Sequence, residues 1–535
     1  MNLSKKLKEC LNNNWCVFGL FALIATILYV NVINGPFLWD DIALVIENQY
    51  THSFEYISNW FTGENFIEAQ DGIYRPISTM AYAAIYQIFE LNVSAYHIFL
   101  ILLHTLNAFL IFVLSQKLKF SKIPSLFIAL IFLTHPVQTT SVSYIAGVPD
   151  VLNASFVLAG LMLFTNKKTI SMIGAAICFI LALLSKESGI ILLGLAALIA
   201  TYNWKEYKLP ERKLKVTFFI TLLILTGIYF WLRIQYLNID GLALNKSVFE
   251  YNDNILIRIL TFVSVIWDYA KLTFAPIELS FDRQAVYYKS LPSIRAVFGL
   301  IVIIGGLIWS YFSFKKNKKF FLGFLWVFIS LGPASGLISN NTTYRENWLY
   351  VALIGVGILI ATLWEQLKTR KSKTIFVSTF IIILLLFGVK TVYRNFEWAN
   401  PHAFFENEIK HNPYNPRIYN QYAQLTMKDG DLDKTIELSI KGIEALAPMD
   451  PKLTKAQYTL AKLYLLKEDA NNAIVHFLMT FETDPNYLKS HEQLAKIFRL
   501  GNRPEKAAKF TEFVERIKNG GVVTLDEIKE TKQLN

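Results

Sequence analysis

Apolar runs of near-bilayer length recur along the first 390 residues and constrain this chain more than any other feature. They lie near 15–33, 94–116, 122–139, 151–165, 169–185, 188–203, 214–233, 292–313, 320–338, 347–366 and 373–391. A transmembrane helix needs roughly 20 apolar residues to cross a core about 30 Å thick, and several of these runs are short of that. With 53% hydrophobic residues in 535, the chain is too apolar for a soluble protein and too long for one core. The expected class is all-α: a polytopic membrane bundle of about eleven spans.

The formal charge of +11 does not point to nucleic acid. The basic residues fall in short clusters between apolar runs, among them Lys117 with Lys119, Lys167-Lys168, and Lys315-Lys316 with Lys318-Lys319, as topology signals do. The stretch 252–276 is ambiguous, because Asp253, Arg258, Asp268 and Lys271 interrupt it. If it lies at the interface and the N-terminus is cytoplasmic, all the large basic clusters fall inside; if it crosses, the last two move outside, against the positive-inside bias. Eleven spans is therefore the expected count. Parity then puts Asp40-Asp41, Tyr74-Arg75, His135 to Asp150, Lys186-Glu187, Arg283 and Tyr344-Arg345-Glu346 on one non-cytoplasmic face.

Cys10, Cys16 and Cys178 make no metal-ligand spacing, so neither a disulfide framework nor zinc is expected. Lys5, Lys6 and Lys8 precede the first run and no small-residue cleavage site follows, which reads as an uncleaved span.

Past residue 395 the chain becomes charged and helix-patterned. Pro451 and Pro485, Ala461 and Ala495, Leu466 and Leu500, and Ala473 and Ala507 are each 34 residues apart, the period of tetratricopeptide helix pairs. Tyr419, Tyr422, Ala423 and Gly430 belong to a less regular unit before them; a plain helical bundle is the alternative. The expected organisation is a membrane domain over 1–394, with external loops at 34–93 and 234–291, and a repeat domain over 395–535 on the non-cytoplasmic side.

Ionisable groups at membrane depth are costly unless used. Asp40 and Asp41 directly follow the first run. Neighbouring loop side chains tend to diverge, so one would serve as a base and the other as its partner, or the pair would cap a helix. Arg75 offers a planar fork to phosphate or carboxylate, or pairs with an aspartate. His97, His104 and Asn107 share a helix face, but two turns separate the imidazoles, which favours interhelical hydrogen bonding over metal. His135 could meet a phosphate oxygen or be a satisfied interior histidine. Lys186-Glu187 must face protein or a water-filled cavity, either as an anion site or as a structural pair. Arg345, with aromatic neighbours at interface depth, is a further phosphate-ligand candidate, and Arg233 and Arg283 are weaker ones. Walker-type phosphate loops, dinucleotide glycine fingerprints, nucleophile elbows and His-Glu-x-x-His are absent.

Phe37-Leu-Trp-Asp-Asp41, Tyr74-Arg-Pro-Ile77, Tyr96-His97 with His104, His135-Pro-Val137 followed by Gly147 and Asp150-Val-Leu152, Ser185-Lys-Glu187, Arg345-Glu-Asn-Trp-Leu-Tyr350 and the terminal repeats occur in that order. Together they resemble the transmembrane and tetratricopeptide repeat-containing O-mannosyltransferases of the C-type glycosyltransferase superfamily. The resemblance implies inverting transfer of a sugar, a mannose-like hexose, from a polyprenyl-phosphate carrier to Ser/Thr hydroxyls of proteins on the non-cytoplasmic side. It maps the base onto Asp40 with Asp41 as partner. Charge accounting assigns the donor phosphate to Arg345, Lys186 and Arg75; His135, Glu187, Tyr74 and Arg283 are the candidate substrate contacts. Gln138-Thr-Thr140 and Val148-Pro-Asp150 depart from the family pattern.

The acceptor protein would engage the repeats. No motif names a metal site or a cofactor, and a divalent cation stays open. Asn340-Asn-Thr342 and Asn341-Thr-Thr343, beside Arg345, would crowd the site if glycosylated, which favours a bacterial inner membrane over a lumenal setting. The competing expectations are transfer of a lipid-linked sugar to a glycan or lipid, and a non-enzymatic membrane-anchored repeat scaffold. A transporter would carry an internal repeat in the membrane half, and none is visible.

Overall fold

The computed structural model describes residues 5–62, 74–237, 254–283, 293–337, 344–446, 450 and 452–532. Parts of both expected loops, the Asn340–Thr343 sequons and Pro451 lie outside them. The described regular structure is helical throughout, and the chain divides into two compact units, 1–404 and 405–535.

In the first unit, eight helices among the described residues are long and apolar enough to cross a membrane: Asn14–Val32, Val93–Lys117, Ile145–Phe164, Glu187–Glu206, Leu209–Ile234, Ile294–Phe314, Glu346–Gln366 and Arg370–Ala399. Lys122–Thr134 and Pro136–Val142 form a ninth if taken as one span bent by 49°. Pro136 explains the bend, because it lacks an N–H and clashes with the preceding turn. Two expected spans form shorter helices, Thr169–Ser185 with 17 residues and Lys318–Leu331 with 14. The ambiguous stretch forms the helix Ile255–Phe274, and its three charges keep it out of the apolar set. Its Val265, Ile266, Tyr269 and Leu272 pack with Leu349, Ala352, Leu353 and Val356 of the helix Glu346–Gln366.

The cysteine expectation is corrected: Cys10 and Cys16 form a disulfide, with Cα atoms 5.2 Å apart. In one continuous helix, residues six apart point about 120° apart and lie about 9 Å apart along the axis. Here the helix Lys5–Asn12 ends and Asn13 caps a new one, accepting the Trp15 N–H at 2.9 Å. That break brings the thiols together.

In the second unit three helix pairs follow one another: Pro416–Lys428 with Leu432–Glu444, Lys452–Leu466 with Ala470–Met479, and Leu488–Leu500 with Pro504–Lys518. The two alanine pairs that set the 34-residue period are all buried, while Leu466 and Leu500 are both exposed. Small side chains at these places let paired helices approach. Each tight turn puts one residue in the left-handed region two positions before the next helix: Gly430, Glu468 and Asn502, at φ of 81°, 62° and 54°. The equivalence of the turns is therefore a property of the backbone as well as of the sequence.

Candidate active site

The functional candidates of the membrane unit are held by bonds between helix ends. The first group centres on the turn after the first span. Trp39 adopts φ of +51°, a region that costs a bulky residue of order 1–3 kcal/mol unless its surroundings hold it there. Asp41 does the holding. It is 1% exposed, and its two oxygens accept the Leu38 N–H at 2.9 Å and the Ala146 N–H at 2.6 Å. It stands where a helix cap would, yet makes no capping bond to the short helix Ile42–Ile46. Burial pushes its carboxyl well above the usual carboxylate range, the two amides oppose that rise and the charge of Asp40 adds to it. The buried member of the pair is thus the worse place for a negative charge.

Asp40 is left available by this arrangement. Its N–H donates to the Tyr144 phenol oxygen at 2.9 Å, while its half-buried carboxylate has no hydrogen-bond or ion-pair partner among the described residues. The turn 144–147 that receives both aspartates is tightly packed against its own chain. A Cβ at Gly147 would lie 2.2 Å from the Ser141 carbonyl oxygen, so only glycine fits there.

Arg345 belongs to the same group. Its guanidinium lies 5.6 Å from the centre of the Phe281 ring, its Nε is buried without a partner, and no carboxylate among the described residues pairs with it. Asp40, Asp41 and Arg345 all act electrostatically on the Tyr144 hydroxyl. Next in the chain, Glu346 is fully buried. It accepts the Ser280 N–H at 2.7 Å, the Arg283 Nη2 at 2.8 Å and the Thr140 hydroxyl at 3.0 Å.

The second group contains the other cations, each already paired. Lys186 Nζ meets Asp150 Oδ1 at 2.5 Å, and Asn347 donates to the other oxygen of Asp150 at 2.9 Å. Glu187 lies between two guanidiniums, Arg75 at 3.0 Å and Arg233 at 3.2 Å. Burial pushes the Lys186 ammonium down, opposed by Asp150. Formal charges of Arg75, Arg233 and Lys186 against Glu187 and Asp150 leave one net positive charge, which favours an anion beside the group. Asn347 joins the two groups through the chain, and Tyr82 feels the charges of Asp40, Asp41, Arg75 and Asp150 together.

The structure therefore gathers Asp40, Asp41 and Arg345 around Tyr144, puts Arg283 behind Arg345 through Glu346, and holds Lys186, Glu187 and Arg75 in a neighbouring network. The side chains of two expected substrate contacts bond backbone carbonyls. His135 is 1% exposed; one ring nitrogen faces the Thr273 carbonyl at 3.0 Å and the other accepts the Val137 N–H at 3.3 Å. Neither nitrogen is left for a substrate. The Tyr74 hydroxyl donates to the Phe61 carbonyl at 3.2 Å. His104 bonds Tyr350 at 2.8 Å, an interhelical tie, and His97 faces the carbonyl of Gly35, in the loop after the first span, at 3.2 Å. Among the described residues, no group of three or more His, Cys, Asp or Glu could hold a metal ion.

Tyr144, Phe281 and Asn347 are participants that residue-type reasoning passed over, and Glu346 was placed on the same face without a role. Glu346 and Asn347 adjoin Arg345, and Phe281 lies within Ser280-Phe-Asp-Arg283, so proximity to a candidate was the available signal.

Fold and site define a class: an all-α polytopic membrane protein with carboxylates and cations gathered between helix ends, followed by tetratricopeptide-like helix pairs. In sequence the chain is similar to the protein O-mannosyl-transferase TMTC3 of Homo sapiens, at 23% identity over 526 residues and 91% of this chain. It is also similar to the protein O-mannosyl-transferase F38B6.6 of Caenorhabditis elegans, at 24% identity over 77% of this chain, and to TMTC2 of Mus musculus, at 21% over 72%. The chain spans 57%, 60% and 57% of the lengths of those relatives. No family model and no solved structure matches it.

Proposed function

We propose that this protein is an integral-membrane glycosyltransferase that moves a mannose-like hexose from a polyprenyl-phosphate donor to Ser/Thr hydroxyls of proteins, with inversion. The observation that carries this reading is the pairing of opposites around Tyr144: among the described residues, Asp40 is a carboxylate without a partner and Arg345 a guanidinium without a carboxylate. The names of the similar proteins support the sugar and the protein acceptor.

In this mechanism Asp40 takes the proton of the acceptor hydroxyl as its oxygen attacks the anomeric carbon. The bond from that carbon to the phosphate oxygen breaks, and the phosphate leaves with the electron pair. Arg345 offsets the charge that develops on it. Lys186 and Arg75, held by Asp150 and Glu187, add field and reach the phosphate only by sharing those partners. Arg283 acts through Glu346, and Asp41 holds the loop. One carboxylate suffices, since a phosphate needs no general acid to depart.

Transfer is measured with a radiolabelled polyprenyl-phosphate hexose and a Ser/Thr-rich peptide in reconstituted vesicles. Arg345→Ala is expected to lower kcat/KM about 100-fold, the usual effect of losing one donor to a developing anion. Wild-type transfer by this variant removes the phosphate role. A product found only on glycan or lipid transfers the proposal to that acceptor class, and no transfer to any acceptor favours a scaffold.

Charge parity supports an orientation with the N-terminus cytoplasmic and the active face and repeat unit outside, and the sequons beside Arg345 favour a bacterial inner membrane. The Cys10–Cys16 bridge joins the helix before the first span to that span's first turn, at the end so assigned to the cytoplasm, where disulfides are rare. It weighs against that assignment. A single cysteine introduced into the repeat unit is expected to react with an impermeant maleimide in intact cells; protection until lysis reverses the orientation.

A further inference from the structure

Phe281 has no part in the chemistry above, yet it is buried at the centre of the first group. Its ring centre lies 5.5 Å from Trp39 and 4.9 Å from Tyr144, at interplanar angles of 68° and 70°, and 5.6 Å from the Arg345 guanidinium. Trp39 immediately precedes Asp40, and Tyr144 accepts the Asp40 N–H. One ring therefore touches both supports of the carboxylate and the guanidinium itself. The residues around it are fixed from the other side, because Ser280 and Arg283 both donate to Glu346, the neighbour of Arg345.

We propose that Phe281 is a positioning residue that sets the separation between the Asp40 carboxylate and the Arg345 guanidinium without touching substrate. The inference rests on the reading of Asp40 as base and Arg345 as phosphate ligand. The flat ring makes edge-to-face contacts with three aromatics, Trp39, Tyr144 and Trp398, while interacting with a cation; an aliphatic side chain of similar volume does neither. Transfer needs base, hydroxyl, anomeric carbon and phosphate in line, and a misplacement of about 1 Å costs on the order of 100-fold.

The test compares Phe281→Leu with Phe281→Tyr, which keeps the ring. Rates are normalised to folded protein, measured as the monodisperse fraction in detergent. Phe281→Leu is expected to lower kcat per folded molecule about 10- to 100-fold and to raise the donor KM, with Phe281→Tyr restoring most of both. Combined with Arg345→Lys, its effect should be less than multiplicative, since both changes break the same contact. A purely structural Phe281 would reduce the folded fraction and leave kcat and KM per folded molecule unchanged; that result, or independent multiplication of the two effects, overturns the proposal. Should the Phe281→Leu protein not accumulate, Phe281→Met fills the space without a ring and carries the same comparison. Unchanged transfer in Asp40→Asn defeats the underlying reading instead, whereas an Asp40-dependent enzyme indifferent to Phe281→Leu defeats only the positioning role.

Discussion

Asp40→Asn is expected to reduce sugar transfer about a thousandfold, the middle of the range for removal of a general base, and to leave the folded fraction and melting temperature unchanged. The amide is isosteric, and among the described residues no bond depends on that carboxylate, so nothing structural is lost. Asp41→Asn separates the two members of the pair. Its amide can accept only one of the two backbone N–H groups that Asp41 now accepts from Leu38 and Ala146. A buried donor left without an acceptor costs about 1–3 kcal/mol, so this variant should lose both activity and thermal stability. Transfer assays and thermal melts on both proteins decide the assignment. If Asp41→Asn abolishes transfer at wild-type stability while Asp40→Asn is active, the roles are exchanged.

Glu346→Ala is the substitution expected to cost most in stability. It would strand the Arg283 guanidinium, the Ser280 N–H and the Thr140 hydroxyl around an empty space, and breaking a buried ion pair from one side costs roughly 3–5 kcal/mol. Arg283 is 13% exposed at its side chain, so some solvent relief puts the expected loss at the lower end, about 3 kcal/mol. Glu346→Gln keeps one acceptor and should lose less. The double variant Glu346→Ala with Arg283→Leu removes the unpaired charge and should recover part of the loss. Thermal inactivation in detergent checks the series, and equal stability of Glu346→Ala and wild type would show that the bonds to Glu346 contribute little.

Much of the fold was legible because its causes are local. Run length and apolarity announce a helix in a bilayer, and Pro136 announces a bend. The buried alanines at 461, 473, 495 and 507 announce close helix pairs. The site was legible only as a set of residues that are expensive near a membrane. Their partners lie far along the chain: Ala146 is 105 residues from Asp41, Glu187 is 112 from Arg75, and Asp150 is 36 from Lys186. No periodicity encodes such pairings, which arise when helix ends meet. The same reasoning explains His135, whose partner is the Thr273 carbonyl 138 residues away. A histidine beside a proline at a helix end looks identical in sequence whether it faces a ligand or another helix. The Cys10–Cys16 bridge depends on a local cause that cysteine spacing does not carry, the helix break at Asn13 between them.

The left-handed Trp39 ties the presentation of Asp40 to the integrity of its surroundings. Two hydrogen bonds to Asp41 hold that backbone where its side chain disfavours it, so the turn lies uphill of its relaxed form and gives way before the spans around it do. With Asp40 as the proposed base, the loop is expected to work as a fuse: heat or a loosened neighbour would disarm the carboxylate while the bundle still stands, so that activity falls before helix content does.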